Sequence, residues 1–235
     1  TDDGSASGSG DTGTTTDGET GDGTDSATDG LNLSGTDEPE LLTGSDWADI
    51  LFGGDGDDQL GGNEGDDSLA GDGGHDVLHG GDGDDTLAGG WGRDLLHGED
   101  GDDHIAGEDG DDTLYGHFGN DTLTGGGAED VAHGGQGHDV LSGGGGRDKL
   151  TGGSGEDTFI FKGNFGRDVV RDFTIGEDVL DLSALTDEAT SLDAFVDAAT
   201  DTGSRVIYDM GDDGQNVIIL NGVSLDDLTA DDFLF

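Results

Sequence analysis

The sequence predicts an all-β solenoid, a stack of short coils whose strands pair in parallel. Three observations predict it. The first is a nine-residue phrase that recurs fourteen times in unbroken register from Gly35 to Ile160, with GGDGDDTLA at Gly80–Ala88 as its clearest copy. Self-similarity at a fixed period marks a stacked repeat architecture. The second is the Gly-rich first half of the phrase, G-G-x-G-x-D, which is unsuited to helix and supplies the positive φ angles of a tight turn. The third is the second half, x-U-x with U large and apolar. It reads as a three-residue strand with one side chain inward and its neighbours outward. Two turns and two strands then close a coil of eighteen residues.

Taken in order, residues 1–34 are Ser, Thr, Gly and Asp with almost no apolar side chain before Leu31. Such a segment reads as a flexible acidic linker, and the lack of an initiator Met predicts a domain before it. Leu31 and Leu33 are expected to begin a strand that covers the open first coil. The first two copies are degenerate, with Pro39 and Glu40 in one and Trp47 in the other. Terminal repeats are commonly atypical because they cap the stack, so the first copy is expected to hold a cation poorly.

Copies from Gly53 to Thr151 form the body. Position six carries Glu40 in the first copy and then Asp49, Asp58, Asp67, Asp76, Asp85, Asp94, Asp103, Asp112, Asp121, Asp130, Asp139, Asp148 and Asp157. One carboxylate and several carbonyls per turn face those of the turn eighteen residues on. An oxygen-lined gap of this kind suits a hard cation, and Ca²⁺ accepts six to eight oxygen ligands. Further Asp residues at positions three and five, among them Asp55, Asp57, Asp82 and Asp84, read as a solvating outer face.

After Phe159 and Phe161, two strands are expected from Arg167 to Ser183, with a turn at Ile175–Glu177. Ser191 is expected to cap a short helix carrying Leu192, Phe195, Val196 and Ala199 on one face. Arg205–Tyr208 and Val217–Leu220 read as strands around a Gly211–Gly214 hairpin turn. The chain ends in acidic residues and a short apolar tip, Asp231-Asp232-Phe233-Leu234-Phe235.

The nonapeptide G-G-x-G-x-D-x-U-x resembles the repeats-in-toxin (RTX) motif of proteins secreted by Gram-negative-type bacteria, a Ca²⁺-binding β-helix repeat. The resemblance implies a right-handed parallel β-roll over 35–160, with each interior Ca²⁺ between copies n and n+2. The thirteen Asp side chains from Asp49 to Asp157 and the turn carbonyls would be ligands to about ten ions in all. Residues 161–235 resemble the region after the roll in serralysin-like RTX proteases and related proteins, a small β-rich cap with one helix. The apolar tip resembles an uncleaved type I secretion signal, which implies an extracellular home, and implies the secretion apparatus as a partner.

Composition bounds the alternatives. With 51 Gly, one Pro, no Cys and a formal net charge of −50, the chain would read as disordered were it not for the repeat, so folding and cation binding are expected to be one event. Seven Lys and Arg leave no track for nucleic acid. No apolar run is long enough to span a membrane. No zinc-protease helix, nucleophile elbow or P-loop is present, so catalysis, if any, is expected in a missing upstream domain.

The second function class is a docking module for a polysaccharide or cell surface. Residues eighteen apart lie above one another, so His79, His97, Tyr115 and His133 at position nine are expected to form an outward ladder. That ladder is either strand packing, a docking face or a weak Zn²⁺ site at His79/His97.

Overall fold

The computed structural model describes residues 30–185, 191–210 and 215–235. The expected linker up to Asp29 and the expected Gly211–Gly214 turn lie outside the described residues. What is described is mostly β: a parallel solenoid of about eight turns with one α-helix.

Two sheets face each other, and successive strands alternate between them as far as Val179–Asp181; Thr200–Asp201, Arg205–Met210 and Asn216–Asn221 then follow one another in the second sheet as antiparallel neighbours. The first holds Asn32–Ser34, Ile50–Asp55, Ser68–Gly74, Thr86–Gly92, His104–Gly110, Thr122–Ala128, Val140–Gly146, Thr158–Ile160, Val179–Asp181 and Phe233–Leu234. The second begins with Leu41–Thr43, Gln59–Glu64, Val77–Asp82, Leu95–Asp100, Thr113–Phe118, Val131–Gln136 and Lys149–Ser154. It continues through Arg167–Val170 and Asn216–Asn221 to Arg205–Met210 and Thr200–Asp201.

The parallel register is eighteen residues throughout the repeats, as in Leu78↔Leu96 and Leu96↔Leu114. It follows from the period: a shift of one residue would turn every buried Leu outward. The strands run longer than the x-U-x unit and reach into the Gly-rich turns, for example Thr86 to Gly92.

Position eight forms the core. From Leu42 to Phe159 these side chains are buried, with Ala132 the one small residue in the column. Leu33 is buried on Asn32–Ser34, which pairs with Ile50–Asp55 and closes the first coil; Leu31, expected in that strand, precedes it and is exposed.

Past the last nonapeptide the coil goes on. Arg167–Val170 pairs with Lys149–Ser154 in one sheet, and Val179–Asp181 pairs with Thr158–Ile160 in the other. The two strands expected there therefore belong to opposite sheets. Ser191 caps helix Leu192–Ala198, its Oγ accepting the Ala194 N–H at 3.2 Å. Phe195 of that helix packs on Tyr208 and Phe233, with ring centroids 4.5 and 4.9 Å apart. Larger aromatic side chains thus replace the single Leu per turn where the stack must stop.

Candidate metal centre

Each position-six Asp is buried at the corner of its coil. One carboxylate oxygen has a protein partner. The Asp49 N–H donates to Asp67 Oδ1 at 2.7 Å, Asp85 to Asp103 at 2.8 Å, Asp103 to Asp121 at 2.9 Å and Asp139 to Asp157 at 2.9 Å. These bonds hold the carboxylates in two columns, one at each corner of the coil: Asp49, Asp67, Asp85 and on to Asp157 in one, and Asp58, Asp76, Asp94 and on to Asp148 in the other, each member a level apart from the next.

The other oxygen has none. Oδ2 is buried and unpartnered in every position-six Asp from Asp58 to Asp148. It points at the position-one Gly of its own copy, where the missing Cβ leaves a cradle. A Cβ built on Gly53 would lie 2.5 Å from Asp58 Oδ2 and 2.7 Å from the Gly71 carbonyl oxygen. At Gly107 the same point lies 2.5 Å from Asp112 Oδ2 and 2.6 Å from Gly125 O. A carboxylate oxygen and a carbonyl oxygen from the next level therefore converge on one space. Both are acceptors, and a buried acceptor without a donor is costly.

Carbonyls at positions two and four complete the lining. The Asn63 and Gly65 carbonyls point at Gly81 and Gly83 of the next level, which both have positive φ. Among the described residues no three His, Asp or Glu side chains converge as a metal cluster. Any ion held here must take most of its ligands from the backbone.

Metal-free, these carboxyls resist ionisation. Burial is the largest cause and raises them all, partly offset by the N–H each accepts; neighbouring carboxylates add to the rise. Asp67, Asp76, Asp103, Asp112 and Asp157 are pushed up to about 6, Asp85 and Asp121 to about 7, and Asp130 to about 8. An oxygen-rich, donor-poor gap of this kind fits Ca²⁺ in ligand type. When bound, such an ion would neutralise the column and tie each turn to the next.

The ends differ from the body. Glu40 accepts from the Thr36 N–H at 3.0 Å and from the Thr36 hydroxyl. Asp49 Oδ2 accepts from the Ser45 N–H at 2.5 Å and its hydroxyl at 3.2 Å, while Oδ1 takes the Leu31 N–H. The first two acidic side chains are thus served by the protein's own donors.

At the other end both columns outlast the repeat. The Asp148 N–H donates to Asp168 Oδ1 at 3.1 Å, and Asp168 Oδ2 is again buried and unpartnered. Burial raises the carboxyls of this close pair. Asp178 takes the Asp157 N–H at 3.0 Å but its second oxygen is filled by the Thr174 N–H at 2.7 Å. Sequence reasoning missed both, because spacings of 20 and 21 residues break the period; the surviving signal was an Asp followed directly by Val, in Asp168-Val169 and Asp178-Val179.

Position five has a second role beside the solvating one. Its side chains accept N–H groups from the level above: His75 onto Asp57 at 2.9 Å, Asp102 onto Asp84 at 2.9 Å, and Asn120 onto Asp102 at 2.7 Å. This outer ladder runs opposite in sense to the inner one.

The His/Tyr ladder is present. Ring centroids of His79, His97, Tyr115 and His133 are 4.8, 5.0 and 5.0 Å apart and nearly parallel. Parallel stacking sets the nitrogens of His79 and His97 side by side rather than toward a shared centre, so the pair does not form a Zn²⁺ chelate. Instead His97 Nδ1 lies 2.9 Å from His117 Nε2, and His79 Nδ1 lies 2.9 Å from Glu99 Oε1.

The family model for the RTX calcium-binding nonapeptide repeat (4 copies) matches at residues 34–69, 61–96, 88–123, 97–132 and 124–159. No curated protein matches the chain. Among solved structures, the extracellular lipase LipA from Serratia marcescens is 24% identical with a TM-score of 0.39, over 84% of this chain and 40% of the lipase. The AlgE6R3 subunit of the Azotobacter vinelandii mannuronan C5-epimerase is 31% identical with a TM-score of 0.35, over 66% of this chain and 80% of that subunit. The chain thus spans well under half of the lipase's length.

Proposed function

The chain belongs to the RTX calcium-binding nonapeptide-repeat family, and from that premise we propose that it is the calcium-folded tail of a larger secreted effector. Its repeats form a structural calcium-binding module and not a catalytic one. In this reading residues 1–34 link to the effector, 35–160 form the roll, and 161–235 cap it and carry a type I secretion signal.

The observation that carries the proposal is the pair of unbroken columns of buried, unpartnered Oδ2 atoms, one running from Asp58 to Asp148 and the other from Asp67 to Asp139. We assign Ca²⁺ to the gaps between those carboxylates and the turn carbonyls. Asp168 extends the Asp58–Asp148 column by one level, and Asp49 is the weakest member of the other, because Ser45 already serves it. Inside a cell, where free Ca²⁺ is scarce, such a column repels itself and the chain stays unfolded and exportable. Outside, the ion supplies what the turns lack, and folding follows binding.

Circular dichroism with a chelator and then with millimolar Ca²⁺ tests this. At about pH 8, where the carboxyls are most ionised, a β signal that appears only with Ca²⁺ is expected, and one unchanged by the chelator would refute calcium-coupled folding. Mg²⁺ is expected to substitute poorly, since it demands tighter octahedral geometry and keeps its waters.

A further inference from the structure

The outer face of the first sheet carries a groove of about 380 Å³ with Trp91 as one wall. That indole is 70% exposed, the most exposed large apolar side chain among those described. Nothing in the calcium reading uses it, because a hard cation needs oxygen, not an aromatic face.

The register explains the groove. Position three reads Asp55, Gly73, Trp91, Asp109 across successive strands, and position two reads Gly54, Asp72, Gly90, Glu108. Gly73 and Gly90 leave two adjacent gaps. Asp55 and Trp91 flank the first, Asp72 and Glu108 flank the second, and Ala70 and Ala88 form a flat floor. Neighbouring strands lie about 4.7–4.9 Å apart, so each gap is about 9–10 Å wide between its flanking strands.

Asp72 and Glu108 stand where the repeat prefers Gly. They have φ of 70° and 76°, a conformation unfavourable by roughly 1–2 kcal/mol for a residue with a Cβ. Among the described residues no basic side chain pairs with Asp55, Asp72 or Glu108; the ion pair His79–Glu99 lies on the other sheet. Three unpaired carboxylates around an exposed indole complement an ammonium group that has an apolar face beside it, the arrangement of a cation–π site.

We propose that this groove binds an amino sugar with a free amine, as a unit of a polycationic polysaccharide. The indole stacks on the sugar ring, and the carboxylates accept from the ammonium and the hydroxyls. The three carboxylates around the indole repel acidic glycans. A basic peptide is less well matched: strands on both sides satisfy the sheet's backbone, so a peptide main chain has nothing to pair with, whereas a polyol bonds to side chains alone. The site uses the Asp72 and Glu108 side chains, which are exposed on the outer face, and leaves their position-two carbonyls to the calcium gaps; it does not depend on the export reading.

The test is calorimetric titration of the calcium-loaded full chain at pH 7 with a glucosamine tetramer, its fully N-acetylated counterpart and tetralysine. Circular dichroism of each variant confirms the fold. Saturable binding of the glucosamine tetramer is expected, weakened at least tenfold by Trp91→Ala. The double variant Asp72→Gly/Glu108→Gly restores the residue that suits positive φ. It is expected to melt no lower than the parent and yet lose binding at least tenfold. The proposal is overturned if the glucosamine tetramer does not bind, if its binding ignores Trp91→Ala or the double Gly variant, or if the acetylated tetramer or tetralysine binds as tightly.

Discussion

Asp103 shows how one side chain serves two levels. Its Oδ1 accepts the Asp85 N–H, its own N–H is held by Asp121, and its Oδ2 faces the gap above Gly98. Asp103→Ala is expected to lower the melting temperature of the calcium-loaded chain and its Ca²⁺ stoichiometry. The stranded Asp85 N–H alone costs about 1–3 kcal/mol. Glu40→Ala, at a turn already served by Thr36, is expected to change either quantity little. Equal losses would contradict a stack of shared sites.

The same carboxyls set the pH dependence. Burial raises Asp85, Asp121 and Asp130 to about 7, 7 and 8 when no metal is bound, against 3.8 in an unfolded chain. The metal-free fold therefore binds more protons than the unfolded chain from about pH 4 to about pH 8. Its stability is greatest below pH 4 and is lost as pH rises through 6 to 8. Calcium reverses the sign, since it needs the ionised form. Chelated protein is expected to gain β signal between pH 8 and pH 5, and the calcium needed for folding is expected to rise with acid over that range. A chelated chain equally unfolded at both values would contradict this.

At the scale of the element, one apolar residue per strand must hold each level. Leu114 lies between Leu96 and Ala132 in the buried column, fully enclosed. Leu114→Ala would put two small residues in adjacent levels. It is expected to cost about 2–5 kcal/mol, read by thermal melting with saturating Ca²⁺. The strand periodicity was legible because alternation and register share one repeat length. The turns were legible only in part. Asn63, Asp72, Glu99, Glu108 and His117 all adopt positive φ at position two. A sequence shows these as departures from Gly, while the backbone shows that the turn keeps its shape and aims five polar side chains onto the outer faces.

At the scale of the molecule, the C-terminal tip is part of the fold. Phe233–Leu234 pairs with Val179–Asp181, Phe233 is buried, and Asp232 accepts the Gly176 and Thr229 N–H groups. Removing Asp231–Phe235 would strip a sheet edge as well as the proposed signal. A milder variant removes only Leu234 and Phe235, which are half exposed; it keeps Phe233 and Asp232 and gives up the Leu234 carbonyl that accepts the Leu182 N–H at 2.8 Å. It is expected to keep calcium-dependent folding and to lower export through a type I apparatus. Unchanged export would rule out a signal that depends on those residues.

The nonapeptide determined the coil length, the parallel pairing, the Leu column and the column of Asp, because each depends on residues a fixed number of positions apart. Three things were decided only in three dimensions. Asp168 enters the carboxylate column after a break in period, because strand Arg167–Val170 docks on Lys149–Ser154 and brings it under Asp148. Asp49 in effect leaves the other column, because the Leu31 and Ser45 N–H groups donate to its oxygens. The groove beside Trp91 exists because residues eighteen apart become neighbours, so that Gly73 and Gly90, unremarkable among 51 glycines, become adjacent gaps between an indole and three carboxylates. Local periodicity fixes what repeats, and contact between levels fixes what each departure from the repeat becomes.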